Sequence, residues 1–348
     1  MSWTETLPPL QQWALFSLIK ICCVLPVLLF CVAYAVYVER KVGAFVQDRI
    51  GPNRVGPLGL LQPAADALKS ILKEDFTPAH VRKAYFWLAP ALTLIPPFLV
   101  CAVVPFGSYL GRQQMVIADL NVGIVYVFGI VSLGVYGIVL AGYAANSKYP
   151  FLGGIRSSAQ MISYEVAMGL AVVPVFLLAQ DLNLTRVVLY QSHSFLDWMI
   201  FNQPLAFILF LVAAFAETNR LPFDMPECET ELVGGYNTEY SSMKFALFFM
   251  GEYAAMIASA GLIVTLFLGG WSLPFLGLDQ PATSVGAGLA HILVFLAKTW
   301  MVLVGFIWVR WMLPRFRYDQ LMDLGWRRFV PLALANVFIT ALVLWLRG

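Results

Sequence analysis

Charged residues are scarce in this chain, and their scarcity says most about what kind of protein it is. Asp, Glu, Lys and Arg make up 12% of the 348 residues, whereas hydrophobic residues make up 60%. A soluble domain carries about 25% charged and roughly 45–50% apolar residues. The composition therefore argues against a soluble enzyme or a disordered chain and indicates an integral membrane protein. The formal net charge of +2 offers no basic surface for a nucleic acid.

The chain also lacks the residue patterns that hold metals and redox cofactors. It has five cysteines and three histidines, with no Cys-x-x-Cys pair and no Cys/His spacing suited to zinc, haem or an iron–sulfur cluster. Walker loops, dinucleotide fingerprints and nucleophile–base motifs are missing as well. We therefore expect this chain to bind no metal or cofactor by itself.

Long apolar runs predict an all-α integral membrane protein with eight transmembrane helices in a single polytopic domain, residues 1–348. A helix needs about 20 predominantly apolar residues to cross the bilayer core. The eighth segment is short, and we count it because Pro204 suits a first helical turn and the run that follows is apolar. The predicted spans are 13–38, 86–105, 120–145, 158–179, 204–219, 244–268, 286–310 and 328–346.

Basic residues predict the orientation of these spans. Of the 22 Lys and Arg residues, 17 lie in or beside the loops 39–85, 146–157, 217–243 and 311–327. By the positive-inside rule these loops face the cytoplasm, so both termini are predicted on the periplasmic side. We expect a bacterial inner membrane, with a mitochondrial or plastid membrane as the alternative.

Two of these loops have patterns of their own. In loop 39–85, turn signals precede an amphipathic stretch, 63–73, that predicts a helix lying in the cytoplasmic interface. Loop 217–243 is strongly acidic and has Arg220 as its one base. Acids contribute little to membrane orientation, so this loop calls for a functional explanation.

Three carboxylates lie within or beside the predicted spans. Glu165 and Glu252 lie roughly 10 and 12 Å deep, measured from the cytoplasmic ends of their helices, and Glu217 closes the short span. An ionisable group near the bilayer centre costs about 2.5–3.5 kcal/mol and usually faces protein or water. These acids are therefore either proton-handling groups or helix-packing residues, each with one hydrogen-bonded partner. For Lys298 two interpretations stay open, a charge relay or the partner of a carboxylate on another subunit.

Two segments carry long, ordered motifs of a known family. Residues 39–57 read ERKVGAFVQDRIGPNRVGP and continue through LQPAADALK at 61–69, and residues 216–224 read AETNRLPFD and continue through the acids up to Tyr240. These motifs closely resemble the H subunit of the proton-pumping NADH:quinone oxidoreductases, respiratory complex I. The mitochondrial counterpart is NADH dehydrogenase subunit 1. The resemblance extends over essentially the whole chain, except for the segment 181–203.

The resemblance implies a subunit at the junction of the membrane and hydrophilic arms. Such a subunit forms the quinone-binding chamber, couples quinone reduction to proton translocation, and is an enzyme only within the complex. Quinone is then the substrate, and FMN and the iron–sulfur clusters belong to partner subunits. The implied partners are the hydrophilic-arm subunits of the quinone site, the neighbouring membrane subunits and membrane lipid.

The family's functional residues transfer to two groups of positions in this sequence. The residues implied in the quinone passage, within loop 39–85, are Arg40, Gln47, Arg49, Asp66 and Ala67. The residues implied in proton coupling are Glu165, Glu217, Asp224, Glu227, Glu229, Glu231, Glu239 and Glu252.

Two other functions fit part of the pattern. The membrane subunit of energy-converting hydrogenases, including formate hydrogenlyase, shares the helical plan and some acids but binds no quinone. The complete first-loop and Pro-Phe-Asp motifs favour the quinone enzyme. A stand-alone secondary transporter fits the composition, but the sequence has no inverted repeat and no pair of broken helices.

Overall fold

The computed structural model describes residues 9–111, 113–226 and 229–347, and within these ranges the fold is helical. The two short strands β1 (Tyr109–Leu110) and β2 (Gln113–Gln114) pair as an antiparallel ribbon. The helices are α1 (Pro9–Val46), α2 (Gln62–Leu72), α3 (Lys83–Cys101), α4 (Gly123–Ala144), α5 (Lys148–Ala179), α6 (Leu184–Gln191), α7 (Met199–Asn202), α8 (Pro204–Glu217), α9 (Glu229–Leu232), α10 (Ser242–Phe267), α11 (Val285–Met312), α12 (Tyr318–Asp323) and α13 (Val330–Arg347).

Among the described residues, seven helices are long and apolar enough to cross a membrane. They are α1, α3, α4, α5, α10, α11 and the continuous run from α12 through a π-helical turn into α13. Helix α8 is equally apolar but has 14 residues, fewer than any of these seven. The structure therefore confirms an all-helical, multi-pass membrane protein.

Three predicted boundaries are wrong because helices extend beyond the bilayer-length apolar runs. One is the start of the last span, which the apolar run places at residue 328, whereas the continuous helix begins at Tyr318. Helix α1 continues to Val46, so Glu39 and the seven residues after it are helical and do not open the first loop. The sequence offers no helix breaker there before the Gly51-Pro52 turn. Helix α5 begins at Lys148 instead of residue 158, and its early Gly153 lies so close to the Pro226 carbonyl that a Cβ would approach it to 3.0 Å.

The predicted amphipathic helix is confirmed as α2, with its bounds shifted by one residue at each end. None of its residues is buried. The turn before α2 depends on Gly59, whose φ of 81° suits glycine and whose missing Cβ lets the Pro52 carbonyl approach directly. This turn returns the chain to α1, where the Tyr37 hydroxyl donates to the Leu58 carbonyl at 2.8 Å.

Contacts between loops place the basic segments at one end of the helix bundle. The Arg82 amide donates to the Ala144 carbonyl at 2.9 Å, which joins the start of α3 to the end of α4. The Ser242 hydroxyl donates to the Ser70 carbonyl at 3.1 Å, which joins α10 to α2. The Phe316 amide donates to the Pro222 carbonyl at 3.1 Å, which joins the loops after α11 and α8. The predicted grouping of these loops is therefore present.

Lys298 is fixed by backbone carbonyls at the opposite end of α10. Its Nζ donates to the carbonyl oxygens of Leu268 at 2.6 Å, Gly270 at 3.1 Å and Ser272 at 2.7 Å. The ammonium also lies 4.2 Å from the ring centroid of Trp198, in the segment 181–203. A cation at a helix C-terminus satisfies orphan carbonyls and opposes the negative end of the helix dipole. Carbonyls of this chain therefore hold Lys298, and both interpretations, a charge relay and the partner of a carboxylate on another subunit, stay predictions.

The close packing of α4 on α3 gives a test of the fold. A Cβ on Gly137 would lie 2.8 Å from the Thr93 amide nitrogen, whereas a Cβ on Gly129 would meet no described atom within 4 Å. We expect Gly137→Leu to lower the free energy of unfolding by about 1–3 kcal/mol through overpacking. The measurement is the melting temperature of the fluorescently tagged chain in detergent. Gly129→Leu is the matched control, and equal melting temperatures for the two variants would contradict the packing.

Candidate functional site

Four segments of the fold bring five side chains together in a largely buried group, which we call the central ion network. Its members are Glu39 of α1, Arg220 in the loop after α8, Glu252 and Tyr253 of α10, and Arg310 of α11. Arg310 donates to Glu39, and Arg220 lies 3.6 Å from Glu39 and 3.4 Å from Glu252. Arg220 is 3% exposed. Two cations therefore face two acids, with Arg220 and Glu39 buried and Arg310 and Glu252 partly exposed.

Tyr253 completes this network with its polar end and its ring. Its hydroxyl donates to Glu39 Oε2 at 2.7 Å, and its ring centroid lies 4.3 Å from the Arg220 guanidinium carbon. A cation over an aromatic face gains electrostatic stabilisation, and more so when water is excluded. Pairing of this kind is what a buried charge requires, because removing one partner from a buried pair costs about 3–5 kcal/mol.

A glycine of the first motif lets α11 reach Glu39. Gly43 lies one turn after Glu39 on the same face of α1, since residues four apart are neighbours on a helix. A Cβ on Gly43 would lie 2.6 Å from the Trp311 ring. The absence of a side chain at Gly43 therefore allows Trp311 to pack against α1, which brings the adjacent Arg310 to Glu39.

Polar side chains of α5 hold the loop that carries Arg220. The Gln160 side-chain amide donates to the carbonyls of Ala216 and Phe223, each at 2.7 Å, on either side of Arg220. The Ser157 hydroxyl donates to Asn219 Oδ1 at 3.3 Å. These bonds explain why Arg220 can be buried in an irregular segment, because the surrounding backbone is fixed by a long helix.

Next to the network lies a largely apolar cleft of about 860 Å³, which we call the acid cleft. Glu217 and Glu252 line it, together with Asn219, Tyr236 and apolar side chains of α3, α4 and α10. Glu217 is 8% exposed, and its Oε2 has no hydrogen-bond partner among the described residues. Glu165 is half-buried on α5. Glu217 and Glu252 therefore share one cleft, whereas Glu165 is not among its lining residues.

The remaining acids of loop 217–243 that the structure describes are paired with bases of other segments. Asp224 accepts from Arg315 at 2.7 Å, Glu231 accepts from Arg156 at 2.6 Å, and Glu239 lies 3.6 Å from His80. Glu227 lies outside the described residues, as does the side chain of Glu229. These three acids of the loop therefore pair with bases and do not form one group of facing carboxylates.

The predicted quinone-passage residues fall into two places. Arg40 and Asp66 form an ion pair at 2.6 Å that joins α1 to α2, and Ala67 is exposed beside it on α2. Gln47 and Arg49 are exposed in the turn that follows α1. The ion pair fixes the surface helix α2 against the helix that carries Glu39.

A second cluster anchors the segment before α3. The Lys244 ammonium lies 2.8 Å from the Asp75 carboxylate and 3.9 Å from the Trp87 ring centroid. Tyr240 stacks on Phe86 at 4.1 Å between ring centroids, and burial raises the pKa of its phenol, so the group stays neutral. This cluster holds the loop end of α10 in place.

Sequence reasoning missed several members of the central ion network. Glu39 begins the first motif and Arg310 lies at the end of an apolar run, and neither position by itself indicates a buried ion pair. Tyr253 lies next to Glu252, yet nothing in the sequence distinguishes it from the other aromatic residues of the spans. Among the described residues no group of three or more His, Cys, Asp and Glu could hold a metal ion.

Comparisons with known proteins agree with the motifs of the two loops. The NADH dehydrogenase family matches residues 19–341. A protein of Koribacter versatilis, named as the second H subunit of NADH-quinone oxidoreductase, is 48% identical, over 96% of this chain and 98% of its own length. The first H subunit of NADH-quinone oxidoreductase in Geobacter metallireducens is 49% identical, over 95% and 97%. NADH-quinone oxidoreductase subunit 8 of Rhodothermus marinus is 47% identical, over 96% and 97%. The chain therefore belongs to the NADH dehydrogenase family, and it is similar over nearly its full length to the H subunits of NADH-quinone oxidoreductases.

Proposed function

We propose that this chain is the membrane subunit of NADH:quinone oxidoreductase that forms the quinone-binding chamber at the junction with the hydrophilic arm. In this role it couples quinone reduction to proton translocation and is an enzyme only as part of the complex. Quinone is the substrate, and FMN and iron–sulfur clusters in partner subunits supply the electrons. The near full-length similarity to proteins named as H subunits of NADH-quinone oxidoreductase supports this function.

The observation that carries the coupling proposal is the position of Glu252. It lines the acid cleft and also lies 3.4 Å from Arg220 in the central ion network. An anionic quinone species near the network would compete with Glu252 for Arg220. At about 6 Å and an effective dielectric near 20, two unit charges interact by roughly 3 kcal/mol, which is enough to change a protonation state.

The acid cleft then receives the proton. Once Glu252 no longer pairs with Arg220, it shares the cleft with Glu217, and Glu165 of α5 is the third acid that we assign to this group. Neighbouring carboxylates titrate as a coupled group, because ionising one carboxylate disfavours ionising the next. Such a group takes up protons when negative charge forms and passes them toward the neighbouring membrane subunits.

The surface around α2 suits the entrance of the quinone. Leu68, Ile71 and Leu72 are exposed on this helix, while Arg40 and Asp66 form a polar pair beside them. A quinone needs an apolar path for its tail and a few polar contacts for its headgroup. We place Gln47 and Arg49 on the same passage because they follow α1 at the same end of the bundle.

Eight crossings with both termini on the periplasmic side complete the proposed topology. The side chains of Gln203, before α8, and Thr340 of α13 are joined at 3.1 Å, whereas the far end of α8 is joined to Gln160 of α5. The first end of α8 lies beside the later part of α13, and its second end lies beside the earlier part of α5. We therefore assign α8 as a short helix that crosses the membrane. The basic loop end then faces the cytoplasm of a bacterial cell, across its inner membrane.

The same loop end offers a surface for the hydrophilic arm. Phe45, Ile50 and Phe76 are 83%, 81% and 64% exposed there. Large exposed apolar side chains beyond the spans mark an interaction site. The quinone-site subunits of the hydrophilic arm are the proposed partners at this surface, while neighbouring membrane subunits and lipid cover the sides of the bundle. The alternative role in a hydrogenase complex has no support among the named relatives described above.

The passage can be tested at Ala67. We expect Ala67→Phe to raise the apparent KM for a long-tailed quinone several-fold, because a bulky ring on exposed α2 narrows the path of the tail. Electron transfer from NADH to ferricyanide should be unchanged, since it needs no quinone passage. Ala67→Ser is the control that keeps the side chain small. An unchanged KM in a fully assembled Ala67→Phe complex would remove α2 from the passage.

The coupling proposal can be tested at the acids. We expect Glu217→Gln or Glu165→Gln to lower quinone-linked turnover and proton pumping together by roughly fivefold, the effect of about 1 kcal/mol on a rate. Proteoliposome pumping and NADH–ferricyanide activity are measured in parallel on the assembled complex.

Asp181→Asn is the matched control for these two variants, because Asp181 is an acid paired with Arg186 at the other end of the bundle. Normal pumping and turnover in both single variants and the double variant would return Glu165 and Glu217 to a packing role.

A further inference from the structure

A second cleft of about 930 Å³ lies between α1, α3, α10 and α11. Its lining is apolar apart from cysteine thiols and Thr299, whose hydroxyl is already bonded to the Phe295 carbonyl at 2.9 Å. The lining includes Val24, Leu28, Val104, Phe106, Phe295 and Leu296. The described lining thus offers almost no polar contact to a ligand, so its shape and chemistry suit a hydrocarbon chain.

A cation lies one turn from the end of this cleft. Lys20 precedes the lining residues Cys23 and Val24 by three and four positions on α1, and this spacing puts them on the same helix face. The Lys20 ammonium donates to the Val116 carbonyl at 2.8 Å, its one hydrogen bond within the described part of the chain. An ammonium has three N–H donors, so Lys20 can bind a further acceptor.

We propose that this cleft binds a membrane phospholipid, with one acyl chain among α1, α3, α10 and α11 and the phosphate at Lys20. Charge complementarity selects this occupant, since a phosphate beside an apolar tail matches an ammonium beside an apolar cleft. A quinone has an uncharged headgroup and would leave Lys20 without a counter-ion.

The dimensions of the cleft also favour an acyl chain over a helix of another subunit. Along α1 the lining runs from Cys23 to Cys31, which is roughly 12 Å at 1.5 Å per residue. A transmembrane helix of 20 residues is about 30 Å long, so a neighbouring helix packed along α1 would extend well beyond this cleft.

The bound lipid has a structural consequence, because Ala258 lines both this cleft and the acid cleft. The acyl chain therefore supports the helix that carries Glu252.

The site is tested on the intact complex in vesicles that contain a phospholipid with a photoreactive diazirine in its acyl chain. Cross-linked peptides of this chain are mapped by mass spectrometry. Val27→Trp fills the cleft from a position that is 47% exposed, so the ring need not displace a buried side chain. Leu29→Trp is the matched control on α1, at a position outside the lining. Lys20→Met removes the cation, and Lys20→Arg keeps it.

We expect the cross-links to concentrate on the cleft residues. Val27→Trp and Lys20→Met should each reduce them about tenfold, which corresponds to about 1.4 kcal/mol of binding free energy. Leu29→Trp and Lys20→Arg should leave them unchanged. Equal cross-linking in all four variants would overturn the proposal. Cross-linking at Leu18, which is exposed on α1 outside the cleft, as strong as in the cleft would do the same. A photoreactive amino acid at position 27 that captures a neighbouring subunit instead of lipid would also overturn it.

Discussion

The buried guanidinium of Arg220 is the group on which the arrangement of the polar interior depends. A charge taken out of water must be paired and hydrogen-bonded, or it destabilises the fold by several kcal/mol. Arg220 lies within 3.6 Å of Glu39 and 3.4 Å of Glu252, and these acids come from α1 and α10. Arg310 adds α11 to the same group through Glu39. Three spans are thereby held in one relative position around an irregular loop.

Helix α10 is the element that connects this network to the rest of the fold. At its loop end Lys244 is fixed by Asp75, and at its other end three backbone carbonyls are held by Lys298. Between these ends the helix presents Glu252 and Tyr253 to the ion network, and Ala258 to both clefts. The helix that carries Glu252 is thus held at both ends by contacts within this chain.

The polar groups are distributed unevenly across the bundle, and this division is physically required. The acid cleft and the ion network lie near the loop end, where irregular backbone and side-chain partners are available. At the other end the buried polar groups are separate from one another: Lys298 and Thr299 bond to backbone carbonyls of this chain, whereas Trp271 Nε1 and His291 Nε2 have no hydrogen-bond partner among the described residues. In a bilayer, every buried polar group needs an internal partner, because no water reaches the hydrocarbon core.

The sequence alone determined the membrane class, nearly all of the helices, the grouping of the basic loops and the family. These features rest on local signals, namely the length of apolar runs, the positions of basic residues and two long motifs. Boundaries such as the end of α1 at Val46 escaped prediction, because a helix does not stop where the membrane does. Only the tertiary structure decided which charges meet. Glu39 and Arg310 are 271 residues apart, and Glu252 meets Arg220 instead of another acid. Such pairings depend on how each helix is rotated and packed against its neighbours, and local patterns along the chain do not reveal that packing.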